Sequence, residues 1–380
     1  MKRLFYVGAL GLACFELAKV YFIMPMPGSQ RMRSIDVAYF LYTWRWAFRV
    51  GLGALALAGL WSAWRAPGRR RWLVPASLVL VAGVAYAANV RLSADHMFVA
   101  PTALNMQPAS RNAVEQTRLV VGVEVHGDAR AYPVRFIGYH HQVRDSVGGR
   151  PVLVSYCTVC RSGRVFDPTV GGRPETFRLV GMDHFNAMFE DRSTGSWWRQ
   201  ANGEAIVGPR KGARLREIAS RQVTLAQWLE LYPQSLIMQA DSTLQDRYAK
   251  GFDYETGASR KALTGTDTVS WREKAWVVGL TVRGESKAYD WNRLRRERVV
   301  NDELGGTPVV IVLAADTANF FAYQRPDAAT RFVLRGDSLV APGRAYGLSG
   351  RGASGALTPL PAYQEFWHSW RTFKPGTTRY

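Results

Sequence analysis

The chain opens with three long apolar runs and then changes pattern. Leu4 to Met26 are apolar apart from Glu16 and Lys19, Val50 to Trp64 extend an aromatic-rich stretch that begins near Asp36, and Trp72 to Val90 carry no charge. About 20 helical residues cross a hydrocarbon core, so the pattern predicts three membrane-spanning helices, at about 4–26, 43–64 and 72–90, in an anchor of residues 1–92. The first is no cleavable signal, being long, interrupted by charge and followed by two more spans. Glu16 and Lys19, three apart on one helix face, are expected to pair. Beyond the anchor, apolar positions alternate. Val121, Val123 and Val125 interleave with Gly122, Glu124 and His126, Gly127-Asp128 reverses the chain, and Pro151 to Tyr156 run behind Gly148-Gly149. Period two between turn residues predicts strands, and Leu225 to Leu231, closed by Pro233, predicts a short helix.

The pattern then recurs. Residues 120–133 match residues 277–290 at 7 of 14 positions, and Asp145, Gly148, Gly149, Pro151 and Val152 return as Asp302, Gly305, Gly306, Pro308 and Val309 at the same offset of 157. Trp228 and Pro233 return as Trp370 and Pro375 at an offset of 142. An internal repeat fixes architecture before any motif does. The expectation is an α+β chain: the helical anchor, a linker at 93–117, a first β-rich repeat at 118–235, a connection at 236–275 and a second repeat at 276–380. At the offset of 157, Cys157 and Cys160 fall on Ala314 and Thr317, and His140 and His141 on Glu297 and Arg298. The segment Asp191 to Gly208 has no counterpart, so the chemistry is expected in the first repeat.

The net charge of +19 is spread along the chain, with 12 Lys+Arg against 3 Asp+Glu over residues 1–95 and 37 against 27 over the rest. No basic stripe with interleaved aromatics marks a nucleic-acid motif, and membrane lipids are the expected partners of the excess charge. Lys2 and Arg3 precede the first span and Arg65, Arg69, Arg70 and Arg71 fill the loop after the second. Positive loops stay cytoplasmic, so three spans place the following domain on the periplasmic or extracellular side of a bacterial inner membrane. Arg31, Arg33, Arg45 and Arg49 then fall outside, where they are expected to snorkel within an aromatic belt of Tyr39, Phe40, Tyr42, Trp44, Trp46 and Phe48.

In that compartment thiols oxidise, and Cys157-Thr158-Val159-Cys160 holds the two cysteines outside the anchor. A two-residue spacer lets both sulfurs close a disulfide or chelate one ion. His140 and His141 stand 17 and 16 residues before Cys157, and two thiolates with imidazoles suit zinc or copper. No long helix follows Cys160, which argues against a thioredoxin fold. No nucleotide loop, nucleophile elbow or zinc-protease helix is present.

Ala131-Tyr132-Pro133, His140 with Asp145 and Gly148-Gly149, Tyr156-Cys157-Thr158-Val159-Cys160, Asp191-Arg192 with Thr194, and Trp198 with Gln200, Gly203 and Gly208 stand in an order that resembles the bacterial and archaeal family known as domain of unknown function 3179 (DUF 3179). The resemblance spans about Asp95 to Pro375. It implies a shared fold and a shared pocket around the cysteines, and carries no reaction with it. Thr158 stands where relatives usually have Pro, and His141 where they have Glu; a CxxC spacer tunes its potential, so no potential transfers. Asp191, Arg192, Trp198 and Gln200 mix charge, indole and amide in the manner of a ligand wall. Three readings follow: thiol–disulfide chemistry at Cys157 and Cys160 with a periplasmic redox partner or small ligand, copper or zinc bound by those cysteines with His140 and His141, or a structural disulfide in a non-catalytic envelope module.

Overall fold

A computed structural model describes residues 1–101, 103–248 and 252–380. Thr102, in the expected linker, and Ala249, Lys250 and Gly251, in the expected connection, lie outside the described residues. The architecture is α+β, a helical N-terminal region followed by a β-rich remainder. It divides into two compact units that cut across the linear boundaries. One comprises Met1–Val99, Thr176–Arg199 and Glu204–Ala213; the other comprises Ala100–Glu175, Gln200–Gly203 and Arg214–Tyr380.

In the first unit, Lys2–Tyr21, Arg45–Trp64 and Gly68–Arg91 are helical, and long and apolar enough to cross a membrane. Small residues let the first two approach closely: a Cβ on Gly8 would lie 2.5 Å from the Ala56 nitrogen, and one on Gly59 2.2 Å from the Phe5 nitrogen. Glu16 pairs with Lys19 at 3.0 Å, as their spacing predicts. Its carboxylate also takes the Arg49 Nε at 2.6 Å and the Asn89 amide at 2.9 Å. The expectation that Arg49 snorkels outward is therefore corrected. A carboxylate in an apolar bundle needs every donor in reach, and this demand outweighs the pull of the interface. Asn89 lies in a single π-turn, Ala87–Arg91, and its side chain also bonds the Ala85 carbonyl at 2.8 Å.

The same unit holds an antiparallel sheet that the sequence pattern did not resolve, in the order Ala205–Val207, Trp197–Arg199, Asn186–Asp191, Phe177–Asp183. Its apolar face, including Val180, Met188 and Trp197, is buried against Val20, Ile23, Met24, Ala38 and Ala88. The Met182 amide donates to the Ile23 carbonyl at 2.7 Å. Residues 176–199 and 204–213 thus complete a core begun by the N-terminal helices.

The second unit contains one order of elements twice. Leu119–Val125, Asp128–Pro133, the helix Val134–His140, Gln142–Val147, Arg150–Cys157 and Ser162–Asp167 come first, and later Trp276–Val282, Glu285–Asp290, the helix Trp291–Glu297, Val299–Leu304, Thr307–Leu313 and Phe320–Gln324. Each set closes with a strand, a helix and a short strand: Ser220–Thr224, Leu225–Leu231 and Leu236–Met238, then Ala362–Phe366, Trp367–Phe373 and Thr378–Arg379. The predicted helix Leu225 to Leu231 forms with Thr224 as its cap. The closing helix lays an indole on a strand glycine in each set. A Cβ on Gly122 would meet Trp228 Cε3 at 2.3 Å, and one on Gly279 would meet Trp370 Cε3 at 2.2 Å. Tyr132 donates to Asp145 at 2.7 Å and Tyr289 to Asp302 at 3.0 Å. Val310, Val312, Phe321 and Tyr323 join Val121, Val154 and Val165 in one buried cluster, so the two sets share a core.

Candidate functional site

Strand register places the cysteines. Cys157 ends one strand opposite Ser162, the first residue of the next, so Thr158 to Arg161 form a four-residue turn with Cys160 inside it. Both cysteines are fully buried. Arg161 takes φ = 56°, a left-handed conformation costly for a non-glycine residue. It is held there by its own guanidinium, which donates to Gln364 Oε1 at 2.9 Å and to the carbonyls of Tyr254 and Glu255 at 2.7 Å, and lies 3.6 Å from the centre of the Trp276 ring.

Three successive carbonyls of the turn are then taken by groups from later in the chain. Tyr254 donates its hydroxyl to the Thr158 carbonyl at 3.0 Å. The Val159 carbonyl accepts from Lys274 Nζ at 3.0 Å and contacts His368 Nε2 at 3.0 Å. The Cys160 carbonyl accepts the Phe366 amide at 2.9 Å. Lys274 Nζ also donates to the Leu263 carbonyl at 2.6 Å and stands 4.9 Å from the centre of the Phe366 ring. Thr158, Tyr254 and Lys274 are the partly exposed members of this group.

Burial and charge set the protonation pattern. Burial holds the Lys274 ammonium below its ordinary range, and the charges of Cys160 and then Cys157 oppose that shift. His368 is pushed down to about 3, first by burial and then by the Lys274 charge, so its imidazole is neutral. If Nε2–H donates to Val159, Nδ1 is left unprotonated. Burial raises Tyr156 to about 12, with a smaller contribution from Cys157. Tyr254, whose hydroxyl lies 3.1 Å from that of Tyr156, is also raised, by burial and by Tyr156. Neutral phenols, the neutral His368 imidazole, the Lys274 ammonium and the Arg161 guanidinium therefore lie around the cysteine turn.

His140 and His141 are buried beside this loop through the backbone, since the Tyr156 amide donates to the His141 carbonyl at 3.0 Å. His140 Nε2 lies 2.9 Å from the Tyr248 hydroxyl, and His141 Nδ1 lies 3.1 Å from the Tyr139 carbonyl. His141 is pushed down to about 4 by burial. Among the described residues no group of three or more His, Cys, Asp or Glu side chains is arranged to hold a metal ion. Gln200 braces the cysteine hairpin from behind, accepting from Ser162 Oγ at 3.0 Å and donating to Ser155 Oγ at 3.3 Å. Asp191 and Trp198 belong to the sheet of the other unit. Asp191 accepts from the Thr194 amide at 2.6 Å and from the Trp198 indole at 2.8 Å, while Arg192 is exposed.

Sequence reasoning missed Tyr254, Lys274 and His368. The site is not confined to the first set of strands. The repeat offsets carried a signal for two of them: Lys274 corresponds to Thr117 at 157, and His368 to Ala226 at 142. Comparing the sets for gains in the later one, as well as for losses, would have singled out both.

The profile of one protein family, described as a protein of unknown function (DUF3179), matches residues 100–377. No curated protein and no solved structure matches the chain.

Proposed function

We propose, for a chain that belongs to the DUF3179 family of proteins of unknown function, that Cys157 and Cys160 carry out thiol–disulfide exchange in a domain anchored to a bacterial inner membrane and facing away from the cytoplasm. The observation that carries this reading is the Lys274 ammonium, which is set on the spacer carbonyl of a buried CxxC turn and whose field reaches both thiols. A fixed cation favours the thiolate, the species that attacks a disulfide. A disulfide staple has no use for that charge. The exchange balances as two thiols and one substrate disulfide giving the Cys157–Cys160 disulfide and two substrate thiols, and it runs in either direction with the potential of the partner. The domain itself is read as a duplication in which the first half keeps the cysteines. The two pairs, Gly122 with Trp228 and Gly279 with Trp370, support that reading.

The test is titration of the purified full-length protein through a series of glutathione redox buffers, with mass spectrometry of the Cys157–Cys160 peptide. Reversible gain and loss of a disulfide, with the fold retained on reduction, is the expected outcome. A disulfide at every potential, with unfolding on reduction, would make it a staple. Stoichiometric copper or zinc lost on Cys157→Ser would move the assignment to a metal site.

A further inference from the structure

We infer, resting on the exchange reading above, that segment 252–265 is a lid over the Cys157–Cys160 turn, latched by the Arg118–Glu255 ion pair, and that it lifts to admit the substrate disulfide. The need for an opening comes from access. Exchange requires one sulfur to line up with the S–S bond of its partner, and neither Cys157 nor Cys160 has exposed surface. Part of the wall around the turn must therefore move before a disulfide can react there.

Much of that wall is fixed in regular structure. The helix Val134–His140 packs so close to the turn that a Cβ on Gly138 would lie 3.0 Å from Thr158 Cγ2. Phe366, whose amide donates to the Cys160 carbonyl at 2.9 Å, ends the strand Ala362–Phe366, which is paired with Trp276–Val282. Segment 252–265 is built differently. Its helix, Asp253–Thr256, is a single turn, and its backbone bonds close on themselves: the Ser259 amide donates to the Asp253 carbonyl at 2.8 Å and the Gly265 amide to the Lys261 carbonyl at 2.6 Å. Among the described residues no backbone-to-backbone hydrogen bond joins it to a surrounding strand or helix. A segment held in this way opens at lower free energy than a paired strand.

Side chains hold it down. Tyr254 donates its hydroxyl to the Thr158 carbonyl at 3.0 Å, and the Arg161 guanidinium, inside the turn itself, donates to the Tyr254 and Glu255 carbonyls at 2.7 Å. Lys274 Nζ bonds the Leu263 carbonyl at 2.6 Å as well as that of Val159. The buried Glu255 accepts the Leu119 amide at 2.7 Å and stands 2.9 Å from Nη2 of the fully buried Arg118. Glu115, the other carboxylate near Arg118, is exposed and 3.9 Å away. The Phe252 ring lies 4.0 Å from the same guanidinium. A buried cation deprived of its close carboxylate is left uncompensated, so the pair is a strong latch while the segment is down. Lifting the segment withdraws Phe252 and Glu255 together and opens Arg118 to water, which lets the latch break without stranding a buried charge. The second set of strands supplies a comparison. Its corresponding turn, between Leu313 and Phe320, leaves Ala315 and Asp316 exposed, so a turn at this place in the fold forms without a cover. The cover is found where the cysteines are.

The experiment is alkylation of the reduced full-length protein with N-ethylmaleimide in urea below the unfolding transition, read by mass spectrometry of the peptide carrying Cys157 and Cys160. Local opening exposes little surface, so labelling should rise only slightly with urea, and the opening constants from labelling and from amide hydrogen exchange across 252–265 should agree. A urea slope equal to that of global unfolding, or labelling as fast as in the unfolded chain, would overturn the lid. Glu255→Gln should speed labelling by about tenfold or more, the consequence of losing a charged partner, and should speed exchange across 252–265 by a similar factor. Gly279→Ala, which strains the later sheet instead, should change neither. Faster labelling of Glu255→Gln with unchanged exchange in 252–265 would overturn the inference, since altered thiol acidity alone would produce it. The urea series on the unaltered protein needs no variant and decides the matter even if Glu255→Gln does not fold. Failure of the exchange reading is separate: alkylation consumes no disulfide, so a lid can be present where the redox series shows no reversible disulfide, and the reverse.

Discussion

Gln222 donates its side-chain amide to Oε1 of Gln364 at 3.2 Å, joining two residues 142 positions apart, each at the third position of the closing strand of its own set. The pair marks where the two halves of the β-rich unit face one another. Arg161 donates to the same oxygen, so the cysteine turn is tied directly to this junction. A change at the junction is therefore expected to be felt at the thiols, and Gln364→Leu, which removes an acceptor from a buried guanidinium, is the change that tests it. Leaving a buried donor unsatisfied costs about 1–3 kcal/mol, and more when the donor is charged. Chemical denaturation should show that loss. The Cys157–Cys160 redox midpoint should also shift, whereas Gln222→Leu should move stability with little effect on the midpoint.

The strand glycines provide a second, purely structural expectation. A methyl group at Gly122 or Gly279 would enter the six-membered ring of Trp228 or Trp370, at 2.3 and 2.2 Å, so one side must move. Overpacking of a close-packed core costs about 1–3 kcal/mol. Gly122→Ala and Gly279→Ala should each lower the denaturation midpoint by similar amounts. If only one does so, the two indole contacts are not equivalent.

The local features of this fold were legible in the chain, and the long-range ones were not. Period-two valines announced the strand Leu119–Val125, the Gly-Gly turn announced the hairpin that leads into Cys157, and Leu225 to Leu231 announced a helix. The Glu16–Lys19 pair was readable from helical spacing alone. Arg49 was misassigned because its partner lies 33 positions away on another helix. His368 reaches Val159 across 209 positions, and no local pattern encodes such a contact. The sheet built from residues 177–199 and 205–207 failed for a related reason: its apolar face is buried on Ile23, Met24 and Ala38, so these strands taken alone show a surface with no visible cover.

Acid should destabilise the β-rich unit through its histidines. His141 and His368 are held neutral by burial, with folded values of about 4 and about 3 against about 6.5 for an unperturbed imidazole. Between those values the unfolded chain binds more protons than the folded one, so stability falls as pH falls. The full stability is present above about pH 6.5, and the loss runs down to about pH 4 for His141 and about pH 3 for His368, where it ends. Denaturation midpoints measured from pH 7 to 4 should decline, and His368→Gln should flatten the slope. A slope unchanged by His368→Gln and His141→Gln together would assign the decline to carboxylates.

The polar cluster among the apolar helices should behave as one unit. Glu16 is the counter-charge for both Lys19 and Arg49, at 3.0 and 2.6 Å. Removing one partner of a buried ion pair costs about 3–5 kcal/mol because the remaining charge is left uncompensated, whereas replacing the whole set by apolar residues is often neutral. Glu16→Leu should therefore reduce the yield of folded protein in membranes more than the triple change Glu16→Leu, Lys19→Leu and Arg49→Leu. A triple variant worse than the single one would mean that the cluster adds net stability.

The orientation across the membrane is expected from the positive residues that flank the candidate spans. Arg65, Arg69, Arg70 and Arg71 are all exposed between the second and third candidate spans, free of carboxylate partners among the described residues, and so count fully as a cytoplasmic signal. Arg31 and Arg33 lie between the first and second candidate spans, and Arg45 and Arg49 at the start of the second, where Arg49 pairs with Glu16 at 2.6 Å and Arg45 donates to the Tyr42 carbonyl at 2.6 Å with its guanidinium 4.1 Å from the ring centre. These four arginines are the opposing signal, since the rule counts positive residues and not net charge. Three spans with the Arg65–Arg71 loop inside put everything after the third span outside. A reporter that is active only outside the cytoplasm, fused after Tyr380, should be active, and a cytoplasmic reporter at the same point should be silent. Replacing Arg69, Arg70 and Arg71 with Asn should give a mixture of orientations. The reverse pattern of the two reporters would place the cysteines in a reducing compartment and remove the oxidising environment on which their exchange chemistry depends.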